Sequence, residues 1–233
     1  MMRGTGTDGA RRRIYGRRRG RKLRAGRRAL MDALLPALRV VLPETGPLDP
    51  RALFPAATDL WLEIGFGAGE HLAAQAHANP QVAFIGAEFF ENGIARLLAV
   101  IDRDRLANIR LFTDDARLLL ARLPERSLGR AFILFPDPWP KERHKKRRIV
   151  AATTLDELAR TLRPGAELRL ATDDPDYAEW MAAAVAARPA FAELARGDGA
   201  WLERPADWPS TRYEQKAVAA GRNPRFFRLA RRR

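Results

Sequence analysis

The chain has 233 residues, enough for one large α/β domain, and 46% of them are hydrophobic, which supports an ordinary buried core. The formal net charge is +14, from 42 basic and 28 acidic residues, and this excess predicts a polyanionic partner. The sequence contains no cysteine, its three histidines are dispersed, and no apolar run approaches the length of about 18 residues that spans a bilayer; these features argue against disulfides, metal sites and membrane segments.

The first 28 residues form a basic segment with twelve Lys or Arg and one acid, Asp8. Glycines interleave the arginines without an apolar period, so we predict a flexible arm. A twin-arginine export signal would need an apolar stretch that Asp32 and Pro36 interrupt, and a mitochondrial presequence would contain serine, which is absent here. We favour a nucleic-acid-binding arm on a cytoplasmic protein, with a solubilising tail as the alternative.

Strands and helices alternate from residue 59 onward, after a short helix over 29–41 interrupted by Pro36 and a turn-rich connector. We predict strands at 60–64, 82–88, 109–112, 132–135, 167–172 and 226–229. We predict the intervening helices at 70–77, 93–101, 116–123, 149–162 and 177–187, with a turn at 163–165. The domains are then an arm (1–28), a helix with its connector (29–58), and an α/β domain (59–233). Its sheet is mostly parallel, with helices on both faces and an antiparallel closing strand.

A glycine-rich turn follows the first predicted strand, with glycines at 65, 67 and 69. Such turns let the backbone approach a ligand and aim helix N–H groups at it. The dinucleotide fingerprint would need a glycine at position 70, where Glu70 stands. Because an acid beside a pyrophosphate is unfavourable, we predict a cofactor without phosphates. The cationic S-adenosylmethionine fits Gly65, Gly67 and Gly69 with carboxylates around them.

Each of four consecutive predicted strands ends in or next to a carboxylate. Because parallel strands share a carboxyl edge, we expect these acids at one rim of the sheet. Glu88 is placed to accept hydrogen bonds from ribose hydroxyls, and Asp115 to reach an adenine edge. Any one acid could instead cap the following helix. Four in succession favour a cofactor rim made of Glu63, Glu88, Asp115 and Asp137.

Asp137 lies between two prolines at the end of the fourth predicted strand, and a strongly basic run follows it. Pro136 and Pro138 stiffen this exit because each fixes φ and lacks an N–H donor. The basic run is suited to gripping phosphates, which gives affinity rather than sequence choice. Its members are Lys141, Arg143, His144, Lys145, Lys146, Arg147 and Arg148.

With these segments in place, the chain resembles the bacterial tRNA (guanine-N7-)-methyltransferases, which have the Rossmann-like class I S-adenosylmethionine-dependent fold. The resemblance rests on segments 62–69, 85–88, 135–148, 171–173 and 211–214. It implies methylation of guanosine N7 in the variable loop of tRNA. It also implies that the four rim acids contact the cofactor and that residues 143–148 lie on the RNA backbone. The substrate contacts that it implies are Lys141, Asp173, Thr211, Arg212, Tyr213 and Glu214.

Guanine N7 carries a free lone pair, so its methylation needs alignment and electrostatics rather than a base. We expect Asp137 to be catalytic by stabilising positive charge on the base, or else to orient only the methionine part of the cofactor. Asp173 is a candidate acceptor for the guanine N1–H and N2–H₂ edge, for the N-cap of the following helix, or for both.

Two other functions compete with this one. Residues 137–140 loosely resemble the Asp-Pro-Pro-Tyr element of enzymes that methylate exocyclic amines, although the tryptophan and the second proline are misplaced for that chemistry. A non-catalytic RNA-binding module with a decayed cofactor site is the third possibility, which the intact glycine turn and four acids oppose. The sequence leaves a monomer or a homodimer open.

Overall fold

The structure is a computed structural model that describes residues 15–194 and 200–233. Its strands are β1 Asp59–Ile64, β2 Val82–Ala87, β3 Ile109–Phe112, β4 Leu128–Leu134, β5 Leu162–Thr172, β6 Phe191–Glu193 and β7 Arg225–Arg231. Its α-helices are α1 Ala25–Ala33, α2 Leu35–Leu38, α3 Pro50–Leu53, α4 Glu70–Ala78, α5 Glu91–Asp104, α6 Ala116–Arg122, α7 Ala152–Thr161, α8 Pro175–Ala186 and α9 Arg212–Ala219. Two 3-10 helices span Glu142–Arg147 and Ala200–Leu202.

The seven strands form one sheet in the order β3-β2-β1-β4-β5-β7-β6. β1 to β5 pair in parallel, whereas β7 runs antiparallel between β5 and β6. The predicted α/β fold, with a mostly parallel sheet and an antiparallel closing strand, is therefore confirmed. The three-residue strand β6 was not predicted, because so short a segment carries no readable alternation.

Alternate side chains of each strand enter two separate cores, one on each face of the sheet. In β1, Leu60, Leu62 and Ile64 join the core that α6, α7 and α8 cover. Trp61 points the other way, into the core covered by α4 and α5. This alternation follows from the two-residue period of a strand. It leaves the carboxyl edge of the parallel strands free to hold a site.

β5 begins earlier than predicted, because the predicted turn at 163–165 lies inside the strand. Leu162 pairs with Leu128, and Glu167 then pairs with Arg130, so β5 takes five steps where β4 takes two. The extra residues bulge outward around Gly165, whose φ is +81°. Pro164 lacks an N–H donor and is exposed in this bulge. The predicted turn at 163–165 therefore interrupts the hydrogen bonds between β4 and β5 without ending β5.

The segment that precedes β1 also differs from its predicted structure. α1 begins at Ala25, inside the segment that we predict as an arm, because Ala25 and the arginines after it favour helix. Pro36 stands in the first turn of α2 rather than in the middle of a longer helix, which suits its missing N–H. Residues 1–14 of the predicted arm lie outside the described residues, and the domain limits stay a prediction.

Over 15–194 and 200–233, the helices are too short or too polar to cross a bilayer. In the same ranges, His, Asp and Glu side chains do not cluster in a group that could hold a metal ion.

Candidate active site

The glycine turn between β1 and α4 packs directly against α5. Gly69 caps α4 at φ +80°, and a Cβ there would lie 2.7 Å from Leu97. A Cβ on Gly93 of α5 would overlap the carbonyl oxygen of Gly67. Glycine is therefore required at both positions for the turn and the two helices to approach one another.

A cavity of about 370 Å³ opens at the carboxyl edge of the parallel strands. Six predicted cofactor residues line it: Glu63, Gly65, Gly67, Glu88, Asp115 and Asp137. Gly69 does not line the cavity; it is the N-cap residue of α4. Of the predicted RNA and substrate residues, Arg147, Thr211 and Tyr213 line it as well. The volume is that of a small-molecule site, and its carboxylates suit a ligand with positive charge and hydrogen-bond donors.

Glu88 is held by the backbone of the turn and of its own loop. Its Oε2 accepts from the Gly67 N–H at 3.0 Å, and its Oε1 accepts from Phe89 and Phe90 at 2.8 and 3.0 Å. Burial raises the pKa of Glu88, these N–H donors oppose the rise, and the nearby charge of Asp137 adds to it. Oε1 is saturated by its two donors, whereas Oε2 retains a lone pair for a ligand hydroxyl.

Asp115 combines two roles, because it caps α6 and also lines the cavity. Its Oδ1 accepts from the Arg117 N–H at 3.0 Å, and the Arg117 guanidinium pairs with the same carboxylate. This pair raises the pKa of Arg117, chiefly through the side-chain hydrogen bond. The helix-cap interpretation therefore holds for Asp115, together with its place at the rim.

Asp137 sits between two bulky residues in the left-handed region: φ is +49° at Phe135 and +46° at Trp139. Such conformations cost on the order of 1–3 kcal/mol each and persist only where the surroundings impose them. The side chain of Asp137 is exposed at the cavity edge, while the surrounding protein atoms raise its pKa by desolvation. The prolines stiffen this exit as predicted, and the strain is carried by their neighbours.

Residues 15–21, here called the N-terminal strap, cross the cavity beside Asp137. Tyr15 and Arg17 line the cavity, and a Cβ on Gly16 would lie 3.8 Å from Asp137 Oδ2. The strap is tied to α5: the Glu91 N–H donates to the Arg18 carbonyl at 2.9 Å, and the Gly20 N–H donates to Asn92 Oδ1 at 2.7 Å. No apolar pattern predicted this contact, since hydrogen bonds of the strap backbone and the Arg19–Glu91 ion pair hold it.

The basic run divides into buried and exposed members on its 3-10 helix. The Arg147 guanidinium lies 4.6 Å from the Tyr15 ring and 4.9 Å from the Trp139 ring, between strap and exit. Arg148 is buried, pairs with Asp176 and donates from Nε to the Pro138 carbonyl at 2.8 Å. Its predicted place on the RNA backbone does not match this burial, because Nε and Nη2 donate within the protein.

The other basic residues are nearer the surface. Lys145 pairs with Glu142 and Asp176, each at 3.0 Å. His144 is half-buried against Trp139, and its pKa is lowered by partial desolvation and then by the surrounding positive charges. Lys141, Arg143 and Lys146 are exposed, so they form the free cationic surface of the run.

The predicted substrate segment 211–214 docks on the glycine turn. The Arg212 N–H donates to Glu70 Oε2 at 2.7 Å, and a Cβ on Gly67 would lie 3.2 Å from the Tyr213 ring. Thr211 caps α9 by accepting from the Glu214 N–H at 3.3 Å. Glu214 is buried beside Arg204 at 3.1 Å, and burial raises its pKa while Arg204 opposes the rise.

Asp173 stands at the end of β5 and pairs with Arg222 Nε at 2.7 Å. The N-cap of α8 is Asp174, whose Oδ1 accepts from the Tyr177 N–H at 2.8 Å. The predicted capping role of Asp173 is therefore wrong, because the helix starts one residue later than that role requires. The Asp173 carboxylate is engaged by one surface arginine.

One buried residue of the site was not predicted as functional. His71, in the first turn of α4, contacts Glu63 and lines the cavity. The available signal was its position two residues after Gly69, where the first turn of α4 must face the sheet edge.

Three comparisons place these observations among known proteins. A family model described as "Putative methyltransferase" matches residues 57–226. The tRNA (guanine-N(7)-)-methyltransferase of Rhodospirillum rubrum is 52% identical over 94% of this chain and 88% of its own length. The enzyme of the same name from Paramagnetospirillum magneticum is 51% identical over 94% and 93% of the two chains.

Solved structures with the same fold are more distant in sequence. The 16S rRNA methyltransferase KamB superposes with a TM-score of 0.57 at 17% identity, covering 84% of this chain and 99% of that chain. A 16S rRNA (adenine(1408)-N(1))-methyltransferase from Catenulisporales acidiphilia, in a variant solved with its cosubstrate SAM, gives 0.52 at 16% identity over 84% and 97%. At these identities the likeness shows the fold alone.

Proposed function

The chain belongs to the tRNA (guanine-N(7)-)-methyltransferase family, and on that premise we propose that it methylates N7 of a variable-loop guanosine in tRNA, using S-adenosylmethionine. The observation that carries the proposal is the convergence of Glu63, Glu88, Asp115 and Asp137 on one cavity beside a glycine turn. S-adenosylmethionine supplies a methyl group on a positively charged sulfur, together with an ammonium group and two ribose hydroxyls.

The cofactor residues suit these groups by charge and by free lone pairs. Glu88, anchored by three backbone N–H groups, offers the remaining lone pair of Oε2 to a ribose hydroxyl. Asp115, at the end of β3, holds the adenine side of the cavity. Glu63, at the end of β1 and beside the glycine turn, holds the cationic amino acid part.

Asp137 is the residue that we place at the reacting base. Its carboxylate lies at the open edge of the cavity, where a base can enter, rather than at the buried floor. As N7 takes the methyl group, positive charge develops on the purine, and a nearby carboxylate stabilises it without accepting a proton. The partial desolvation that raises the pKa of Asp137 also strengthens that interaction.

The tRNA would contact the cavity rim through charge and shape. The exposed cations Lys141, Arg143 and Lys146 lie on the 3-10 helix that follows Asp137 or just before it, and they suit phosphates close to the target base. Thr211 and Tyr213 line the cavity, and Asp173, at the end of β5, would exchange its pair with Arg222 for the guanine edge. A guanosine that leaves its stack in a loop can enter such a cavity.

The test uses tRNA that lacks the modification and S-adenosylmethionine labelled in its methyl group. We expect label in 7-methylguanosine after nucleoside analysis, and no label when the variable-loop guanosine is replaced by adenosine. Label on an exocyclic amine would support the competing amino-methyltransferase function. Binding of tRNA without label would support the non-catalytic module, and label at a guanosine outside the variable loop would overturn the proposed position.

A further inference from the structure

A buried histidine–carboxylate pair lies at the floor of the cavity. His71 and Glu63 are 2% and 3% exposed, and His71 Nδ1 lies 2.7 Å from Glu63 Oε2. Both residues line the cavity. Since Glu63 Oε1 has no hydrogen bond with any residue that the structure describes, one oxygen serves the histidine and the other is left for a ligand.

The surroundings determine where the proton of this pair resides. A hydrogen must lie between Nδ1 and Oε2, because two bare lone pairs at that distance would repel. His71 Nε2 is buried without a partner among the described residues. The centroid of the imidazole ring lies 4.7 Å from that of Phe132 and 5.6 Å from that of Trp208. A second N–H there would be a buried, unsatisfied donor, so the ring is neutral with its hydrogen on Nδ1.

The imidazole is fixed in place by the segment that leads to the substrate residues. Trp208 is fully buried against it, and Gln75, one turn after His71 on the same face of α4, donates to the Asp207 carbonyl at 2.6 Å. The Arg169 guanidinium grips the Asp207 carboxylate at 3.0 and 2.8 Å. His71 therefore cannot rotate without displacing these contacts.

We propose that His71 is a positioning residue that holds the Glu63 carboxylate oriented for the cationic amino acid part of S-adenosylmethionine. This inference rests on the proposed function, since it takes Glu63 as a ligand of the cofactor. A buried carboxylate needs partners, and a donated hydrogen bond stabilises its charged form. Without the Nδ1–H donor, Oε2 would be buried and unpaired, and Glu63 would turn away from the orientation that the ligand needs.

Matched substitutions of His71 test this role. The measured quantity is the Kd for S-adenosylhomocysteine in the absence of tRNA. His71→Leu keeps the bulk but removes the donor, and we expect the Kd to rise about 10- to 100-fold, the worth of one hydrogen bond to a charged group. His71→Asn places an amide N–H where Nδ1 stood, and we expect its Kd within about threefold of the wild type. His77→Gln, on the exposed face of α4, is the control with an unchanged Kd.

Kinetics separate positioning from general damage. In His71→Leu the KM for S-adenosylmethionine should rise while the Kd for tRNA stays the same, and His71→Asn should restore the KM. A Leu variant that folds and binds S-adenosylhomocysteine like the wild type overturns the proposal, as does an Asn variant that behaves like Leu.

A spectrum of the cofactor-free wild type tests the pair without any variant at the site. In protein with ¹⁵N-labelled imidazoles, we expect one of the three histidines to show the neutral form with hydrogen on Nδ1. His77→Gln and His144→Gln assign the other two signals. A His71 signal with hydrogen on Nε2 overturns the proposal, whereas a wild type that has the expected signal but binds no S-adenosylhomocysteine overturns the proposed function instead.

Discussion

At the scale of single residues, two carboxylates of the site, Asp137 and Glu88, lie where desolvation disfavours their ionised forms. Asp137 is held at the cavity edge between two left-handed residues, and desolvation raises its pKa. Burial also raises the pKa of Glu88, and the charge of Asp137 adds to that rise. Carboxylates whose ionised form is disfavoured in the cofactor-free protein gain most from a cationic ligand.

Asp137→Asn should separate activity from stability. We expect kcat to fall about 100- to 1,000-fold, the usual loss when one group that stabilises developing charge is removed. Because the folded pKa of Asp137 is raised above its ordinary value of 3.8, the stability linked to its protonation is present below that value and lost as pH rises through the raised pKa. The neutral variant should therefore be at least as stable as the wild type at neutral pH.

Single-turnover rates and urea denaturation at neutral and acidic pH measure both effects. The gain in the free energy of unfolding should shrink as pH falls through the raised pKa of Asp137 and vanish below 3.8, where the aspartate is protonated in the folded and unfolded states. An Asn variant with wild-type turnover would remove Asp137 from the reaction. A gain in stability that grows as pH falls would contradict the assigned direction of the pKa shift.

At the scale of elements, the close packing of the glycine turn on α5 is the geometry that makes the cavity. Gly93→Ala would place a methyl group against the Gly67 carbonyl, so we expect it to destabilise the protein by about 1–3 kcal/mol and weaken cofactor binding. Gly26→Ala is the matched control, because it also lies in a helix but has open space around it. That variant should be up to about 1 kcal/mol more stable than the wild type, with unchanged binding.

Thermal unfolding and the Kd for S-adenosylhomocysteine check both glycine variants. If Gly93→Ala were as stable as Gly26→Ala and bound equally well, the contact between α5 and the turn would have no role in shaping the cavity.

Arg143 lies in the 3-10 helix and Arg148 caps its C-terminus, and the two arginines have opposite environments. Arg148→Met removes the pair with Asp176 and the bond to the Pro138 carbonyl, and should cost about 1–3 kcal/mol of unfolding free energy. Arg143→Met changes an exposed side chain, so stability should stay within about 0.5 kcal/mol while tRNA binding weakens. Chemical denaturation and tRNA titrations of the two variants distinguish these outcomes, and equal stability losses would contradict them.

The order of strands and helices was readable from the sequence, because alternating apolar runs and glycine or proline breaks are local signals. The rim acids followed from the same reading, since strand ends meet at one edge. The cap of α8 was a local signal, an acid before Pro175, and only the choice between the adjacent Asp173 and Asp174 was missed. The burial of Arg148 was not readable, because it depends on Asp176 in a later helix. The strap was missed for the same reason: backbone bonds to α5 leave no pattern in an arginine-rich segment.

At the scale of the whole molecule, the charge of +14 is only partly available to a nucleic acid. Arginines such as Arg160 and Arg169 are consumed by internal bonds to carbonyls and carboxylates. The exposed cations next to Asp137 are therefore the ones that should govern salt dependence near the site.

Replacing Lys141, Arg143 and Lys146 together by glutamine should flatten the dependence of log K on log salt by about 2 to 3 for tRNA binding, the contribution of three phosphate contacts. Binding isotherms at several salt concentrations measure this slope, and a variant with Glu142→Gln is the control for altered surface polarity. A slope unchanged by the triple substitution would place these residues away from the RNA.

The insertion of β7 between β5 and β6 has a consequence for how the chain acquires its shape. β6 is paired in the sheet through β7, so residues 191–193 cannot join it until residues 225–231 have been synthesised. The strands β1 to β5 can assemble as they emerge from the ribosome, but the edge of β5 stays open meanwhile. Such an open edge is where a nascent chain is most exposed to intermolecular pairing, and the arrival of β7 closes it.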